Sequence, residues 1–392
     1  MSYARYARAL EGHRLPAAFV DMDRLDANVA ALRSRARGNP IRVASKSVRC
    51  VAILRHVLQQ PGFAGLMAFT AAEAAHLGLH GFDDILVAYP TLEPSELMLA
   101  FGAIRDGTHI VLMVDDSEQV RVLGELAESA GVVAPLCIDV DMSLSLPGLH
   151  FGVRRSPVRT VPDALRVATA IRRQRSLRLE GVMGYEAQIA GLPDDTSRRA
   201  FSRVVRVLKA RSLRDLRRRR GAIVEALRGA GHELRFVNGG GTGSLESTAA
   251  DPSVTESTVG SGLYSPTLFD EFRQFRHQPA AGFALPVVRR PSADIVTCHG
   301  GGYIASGAAG KDKLPTPWLP EGLELLDAEG AGEVQTPLQV PAGVELALGA
   351  PVLFRHAKAG ELCERFSTLL LIRDGKVVDE VKTYRGEGEC FL

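Results

Sequence analysis

Short apolar runs alternate with amphipathic segments from about residue 41 to residue 262. The runs are Ile41–Ala44, Gly65–Phe69, Asp84–Tyr89, His109–Asp115, Pro135–Asp141, Leu179–Tyr185, Arg235–Gly239 and Thr255–Gly260. Between them the apolar spacing becomes helical: Val48–Gln59, Ala71–Leu79, Pro94–Ile104, Ser117–Ala130, Pro162–Arg173 and the long Ser197–Arg228. Several helices open on a capping residue, Thr70 for one and Asp116 or Ser117 for another. Strands rich in Val, Ile and Leu throughout are buried on both faces, and helical crossovers make neighbouring strands parallel. Eight such units predict an α/β fold, a closed (β/α)8 barrel of the TIM type. An earlier run, Ala17–Met22, leads into the amphipathic segment Leu25–Arg35 and is a candidate for a second domain.

After about residue 275 the helical period disappears. Gly and Pro punctuate short β-like runs at Ala293–Thr297, Val334–Leu338, Gly343–Leu348, Pro351–Phe354, Thr368–Arg373 and Val377–Tyr384. Asp374-Gly375 between two of them is a hairpin signal. The expected division is a barrel over residues 15–275 and a C-terminal all-β domain over 276–392, with residues 1–14 packing with the latter.

A chain of 392 residues suits one large and one smaller domain. A net charge of +2 argues against a nucleic-acid footprint, and no apolar stretch approaches the roughly 20 residues that span a bilayer. The first ten residues lack the apolar core of a secretory signal. Five scattered cysteines without a C-x-x-C pair suit reduced thiols, so a cytoplasmic location is expected. Arg217–Arg220 steps about 100° per residue around a helix and makes no basic stripe; a solvated helix segment is expected there.

Chemistry enters at Lys46. It ends the apolar run Ile41–Ala44, flanked by Ser45 and Ser47, at the C-terminal end of a strand, where barrel active sites are built. A Schiff-base lysine reacts as the neutral amine, and with an ordinary pKa of about 10.4 only roughly one free lysine in a few thousand is neutral at pH 7. Such a lysine therefore needs desolvation or a neighbouring cation, whereas a loop lysine without chemistry needs neither. The second segment is Phe236-Val-Asn-Gly-Gly-Gly-Thr-Gly-Ser244, a strand running into bare amides and short hydroxyls that suit a phosphate monoester. The eighth run ends in Gly260-Ser-Gly-Leu-Tyr264, and the loops after strands seven and eight of a barrel are a common phosphate site. Neither a G-x-x-x-x-G-K-[ST] loop nor an opening G-x-G-x-x-G is present.

The lysine on the first strand, the two small-residue loops and the trailing β domain resemble the fold-type III pyridoxal-phosphate enzymes. That group holds alanine racemase, D-threonine aldolase and eukaryotic-type D-serine dehydratase. The resemblance implies that Lys46 carries pyridoxal 5′-phosphate and that Gly240, Gly241, Thr242, Ser261, Gly262 and Tyr264 bind it. Tyr185 matches an aldolase tyrosine near the cofactor, and is otherwise a core tyrosine. Arg154 matches an arginine loop that steers a carboxylate or the cofactor, and is otherwise a surface pair. His299 or Tyr303 is a candidate acid or base. His356 matches a metal-binding histidine, but Cys363 lies seven residues on where the family pattern puts the second ligand two residues on. A loop insertion between them would still allow one ion, zinc or manganese. The alternative is a structural histidine and a buried thiol.

The implied function is a lyase acting on D-β-hydroxy-α-amino acids, retro-aldol cleavage first, dehydration second and racemisation third. The small non-enzymatic pyridoxal-phosphate-binding proteins of this group are single-domain, so the β module counts against that reading. A nucleotide or sugar-phosphate barrel is the remaining outsider. The family also implies a homodimer.

Overall fold

The computed structural model describes residues 2–392. Eight parallel strands close a barrel in chain order: Ile41–Ala44, Phe63–Ala68, Ile85–Val87, Ile110–Val114, Ala134–Asp139, Leu177–Gly184, Phe236–Gly239 and Glu256–Val259. The ring shuts where the eighth strand pairs with the first, Ser257 opposite Ile41 and Val259 opposite Val43. The expected barrel is present, and each expected run falls on a strand within two residues at either end. Thr70 caps the helix Ala71–Leu79 by accepting from the Glu73 amide, and Thr160 with Asp163 forms a capping box for Val161–Arg173. The helix Arg199–Gly229 has 31 residues, which makes it about 46 Å long.

Arg42 interrupts the apolar character expected of the first strand. Its guanidinium is 1% exposed and bonds the carboxylates of Glu256 and Asp84. Asp84 also pairs with Arg235, Arg235 with Glu180, and Glu180 with His109 and Arg178. Asp84, His109 and Arg235 each immediately precede a strand, so this ionic network lies at the N-terminal end of the barrel. Removing one member would strand a charge among the others. Leu86, Val111, Met113, Cys137, Met183 and Phe236 form an apolar cluster across the barrel strands.

The chain divides into two compact units. One is Leu32–Lys46, Arg55–Gly260 and Phe391–Leu392, which holds the barrel. The other is residues 2–31, Ser47–Leu54 and Ser261–Cys390, and is built on a nine-stranded sheet. The expected boundaries at residues 15 and 275 need correction. Ala17–Asp21 lies in the β-rich unit because it hydrogen-bonds there on both edges, antiparallel to Ala281–Ser292 and parallel to Thr368–Arg373. Residues 261–275 join the same unit. The strand Ala281–Ser292 was not expected, since Pro286 and Pro291 remove ladder donors, and the expected run Gly343–Leu348 forms no strand. The Asp374-Gly375 hairpin is present, with φ of 51° and 73°. Tyr6, Phe19, Ala284, Leu353, Leu370 and Ile372 belong to the core of this unit. No helix among the described residues is long and apolar enough to cross a membrane.

The barrel network makes a testable link to pH. Burial pushes the Glu180 carboxyl up, but His109 and Arg178 outweigh it and hold it at about 2, against an ordinary 4.5. A depressed carboxyl contributes stability that is complete above its ordinary range and is lost as pH falls towards the folded value. The thermal midpoint should therefore drop between pH about 4.5 and about 2. Glu180→Gln should flatten that drop while lowering the midpoint at neutral pH.

Candidate active site

Lys46 sits in the single turn Ser45–Ser47 that follows the first barrel strand, with an exposed side chain. Ser45 anchors this turn by donating to the Met67 carbonyl on the second strand at 2.9 Å. The Lys46 Nζ donates to the Tyr89 hydroxyl at 3.1 Å. Tyr89 lies two residues beyond the third strand, and the Arg155 guanidinium covers its ring at 5.3 Å and the Tyr185 ring at 5.0 Å. Arg154, expected at the site, and its neighbour Arg155 are both exposed, and Arg155 is the arginine that reaches the tyrosines. Tyr89 was missed, although the logic that selected Lys46, a functional group just past a strand's C-terminal end, applies to it equally. Nothing in the irregular loop 152–160 distinguishes the two arginines by sequence.

Electrostatics here are shaped by two cations. Burial raises the Tyr89 phenol, but Lys46 and then Arg155 outweigh burial, so its pKa is lowered. Tyr185 keeps its proton more firmly, since burial pushes it up to about 12 against the pull of Arg155. At the end of the fifth strand, burial drives the Asp139 carboxyl up to about 7 against Arg155, with Asp115 and Asp141 adding to the rise.

The glycine turn completes this end of the barrel unit. Gly240 has φ of +87°, and a Cβ there would meet the Thr248 side chain at 3.1 Å. A Cβ on Gly241 would lie 2.8 Å from the Ala190 methyl and 3.2 Å from the Tyr185 ring. Small residues are thus required for the turn to fit, and Tyr185 joins the turn to the Lys46, Tyr89 and Arg155 group. Two amides expected to be bare are engaged: Gly240 donates to Glu186 at 3.2 Å and Gly241 to Ser244 Oγ at 3.1 Å. Arg35 reaches the Thr242 carbonyl at 2.6 Å. Arg220, expected to be solvated, is 1% exposed and paired with two carboxylates, because one residue in four around this helix must face inward.

The remaining candidates lie in the β-rich unit. Ser261 directly follows Gly260 in the chain, its hydroxyl 3.1 Å from that of Ser47, and Gly262 is buried beside it. Tyr264 is a core residue with no exposure, its hydroxyl donated to the Val48 carbonyl at 3.1 Å, which uses the donor a cofactor would need. His299 is exposed at the end of Ile295–His299, and Tyr303 packs among Phe283 and Phe366. His356 is 3% exposed with neither ring nitrogen hydrogen-bonded, and burial lowers its pKa to about 3. Cys363, in the turn Glu361–Glu364, is 1% exposed and donates to Val48 O at 3.3 Å; burial raises its thiol pKa. Tyr264 stands edge-on to the His356 ring, with centroids 6.5 Å apart.

Residues 20–265 match the alanine racemase, N-terminal domain, family, and the chain belongs to it. This is a pyridoxal-phosphate fold. The 3-hydroxy-D-aspartate aldolase of Paracoccus denitrificans (strain Pd 1222) is 23% identical over 233 residues, 58% of this chain and 54% of the relative. The D-threo-3-hydroxyaspartate dehydratase of Delftia sp. (strain HT23) is 26% identical over 261 residues, 64% of this chain and 60% of the relative. The chain thus spans somewhat over half the length of these two relatives. Among solved structures, a D-threonine aldolase from Filomicrobium marinum superposes with a TM-score of 0.80 at 20% identity, over 97% of this chain and 96% of the other.

Two predictions follow from the geometry of this cluster. In an alkaline titration followed by tyrosinate absorbance, the earliest tyrosine to ionise should vanish in Tyr89→Phe and move to higher pH in Arg155→Met. Gly241→Ala should lower stability by about 1–3 kcal/mol through overpacking against Ala190 and Tyr185, as read from denaturant unfolding.

Proposed function

We propose that this protein is a pyridoxal-phosphate-dependent lyase that cleaves the Cα–Cβ bond of D-β-hydroxy-α-amino acids. The observation that carries the reading is the Lys46 amine at the C-terminal end of the first barrel strand, 3.1 Å from the Tyr89 hydroxyl. Membership of the alanine racemase N-terminal domain family supports it. The tight turn at Gly240 and Gly241, where a Cβ would meet Thr248, Ala190 or Tyr185, is the segment assigned to the cofactor's phosphate. When bound, the cofactor supplies an electron sink for breaking a bond at Cα of an amino acid.

The chain's own residues take the following parts. Lys46 Nζ would hold the cofactor and is the amine placed to carry a proton at Cα. The Tyr89 hydroxyl orients that nitrogen and shares its proton. Arg155 neutralises an anionic oxygen of substrate or cofactor, and Tyr185 walls the site against Gly241. Thr242 in the glycine turn would take the phosphate. Arg154, Tyr264 and His299 have no part assigned.

His356 and Cys363 are the residues that would hold a divalent ion, zinc or manganese. A buried imidazole with two unpartnered nitrogens and a thiol in the same unit are donors that suit a borderline-soft metal. Such an ion would lower the pKa of a β-hydroxyl and favour the lyase reading over racemisation. Dehydration to ammonia and a keto acid is the second reading, favoured by the similarity to the Delftia dehydratase. The protein acts as a cytoplasmic homodimer with its buried cysteines as thiols.

Borohydride reduction of cofactor-loaded protein should fix the label on Lys46, and Lys46→Ala should take up none. A label on another lysine would remove the assignment. With D-threonine or D-threo-3-hydroxyaspartate, glycine and an aldehyde mark the aldolase, while ammonia and a keto acid mark the dehydratase. Chelation and His356→Ala should each abolish turnover and leave the cofactor's visible band in place. Full turnover after metal stripping would take the ion out of the mechanism.

A further inference from the structure

We propose that Glu186, held by Arg220, is a positioning residue that sets the glycine turn for the cofactor phosphate. The inference rests on the cofactor reading of this site and assigns it a part that no sequence motif announces. Glu186 follows Tyr185, immediately past the sixth barrel strand, and its side chain is 1% exposed. One carboxylate oxygen accepts from the Gly240 amide at 3.2 Å and from Arg220 at 3.0 Å, and the other takes the Thr248 hydroxyl. Arg220 reaches further, to Asp251 at 2.7 Å and to the Gly184 carbonyl at 2.7 Å. The network therefore ties the end of the sixth strand, the turn after the seventh, the helix Leu245–Ala249 with Asp251 beyond it, and the long helix Arg199–Gly229 to one buried guanidinium.

Charge alone does not account for this arrangement. Two carboxylates against one guanidinium leave a net negative charge behind a turn that is to receive a phosphate, which opposes anion binding. A buried carboxylate is also costly unless each lone pair is used. What the carboxylate provides is direction. It accepts the Gly240 amide and so fixes the direction of that N–H at a residue with φ of +87°, and Ser244 accepts the next amide in the same way. Conformation and charge predict opposite outcomes for removing the carboxylate, so they can be separated. If conformation dominates, Glu186→Gln weakens phosphate binding; if charge dominates, it strengthens it.

The test compares pyridoxal phosphate with pyridoxal, which offers the same aldehyde to Lys46 without the phosphate. Affinities are read from the visible band of each aldehyde on the wild type, Glu186→Gln and Thr248→Val, with near-ultraviolet circular dichroism reporting the fold of the unloaded proteins. Glu186→Gln should lose about tenfold in pyridoxal phosphate affinity and remain within about twofold for pyridoxal, the size of a lost hydrogen bond to a charged group. Thr248→Val, nearly isosteric and less disruptive, should lose about threefold in the same direction. Equal losses for both aldehydes, or unchanged or tighter binding of pyridoxal phosphate, would overturn the inference while leaving the cofactor reading intact. A wild type that takes up neither aldehyde would overturn both.

Discussion

Closure of the barrel is the constraint from which the rest follows. The hydrogen bonds of Ile41, Arg42 and Val43 with Ser257, Thr258 and Val259 join the first strand to the eighth. Without that seam, the turn carrying Lys46 would sit at the edge of an open sheet. With it, strand ends spread over about two hundred residues of chain converge at one end: Lys46 after the first strand, Tyr89 after the third, Tyr185 after the sixth and Gly240 after the seventh. A parallel barrel sends all its strands in one direction, so chemistry placed just past any strand arrives at the same face.

The two ends of the barrel use charge differently. At the N-terminal end, Arg42, Asp84, Glu256, Arg235, Glu180, Arg178 and His109 pair with one another, and the depressed Glu180 carboxyl shows how strongly they hold. At the C-terminal end, the Arg155 guanidinium lies on two tyrosine faces and lowers the Tyr89 phenol together with Lys46. A cation on an aromatic face gives up less of its availability to a ligand than one locked to a carboxylate. The first arrangement suits a structural plug and the second a binding surface. The Arg220 group combines them, a buried pair of the first kind set directly behind a turn of the second.

The β-rich unit shows how a segment's partners outrank its place in the chain. Ala17–Asp21 precedes the barrel in sequence, yet its hydrogen-bond partners are Ala281–Ser292 and Thr368–Arg373. The same unit buries His356 with both ring nitrogens unpartnered, which for a polar group at 3% exposure is a cost.

The periodicity of apolar residues by itself determined the eight barrel strands, most of the helices between them, the Asp374-Gly375 hairpin, and the positions of Lys46 and the glycine turn. These are local properties: a strand buried on both faces is a continuous apolar run, and a turn with φ above zero calls for glycine. Tertiary structure alone decided which of Arg154 and Arg155 reaches the tyrosines, since adjacent loop residues differ only in how the chain folds around them. It also decided that Arg220 is buried among four arginines of one helix and Arg42 within one strand, because burying a guanidinium depends on carboxylates more than thirty residues away in sequence. The same holds for Tyr264, which sequence offered to the cofactor and which the fold gives to the Val48 carbonyl. Periodicity records which side of an element faces inward; the partner it meets there is set by contacts that no short window of sequence contains.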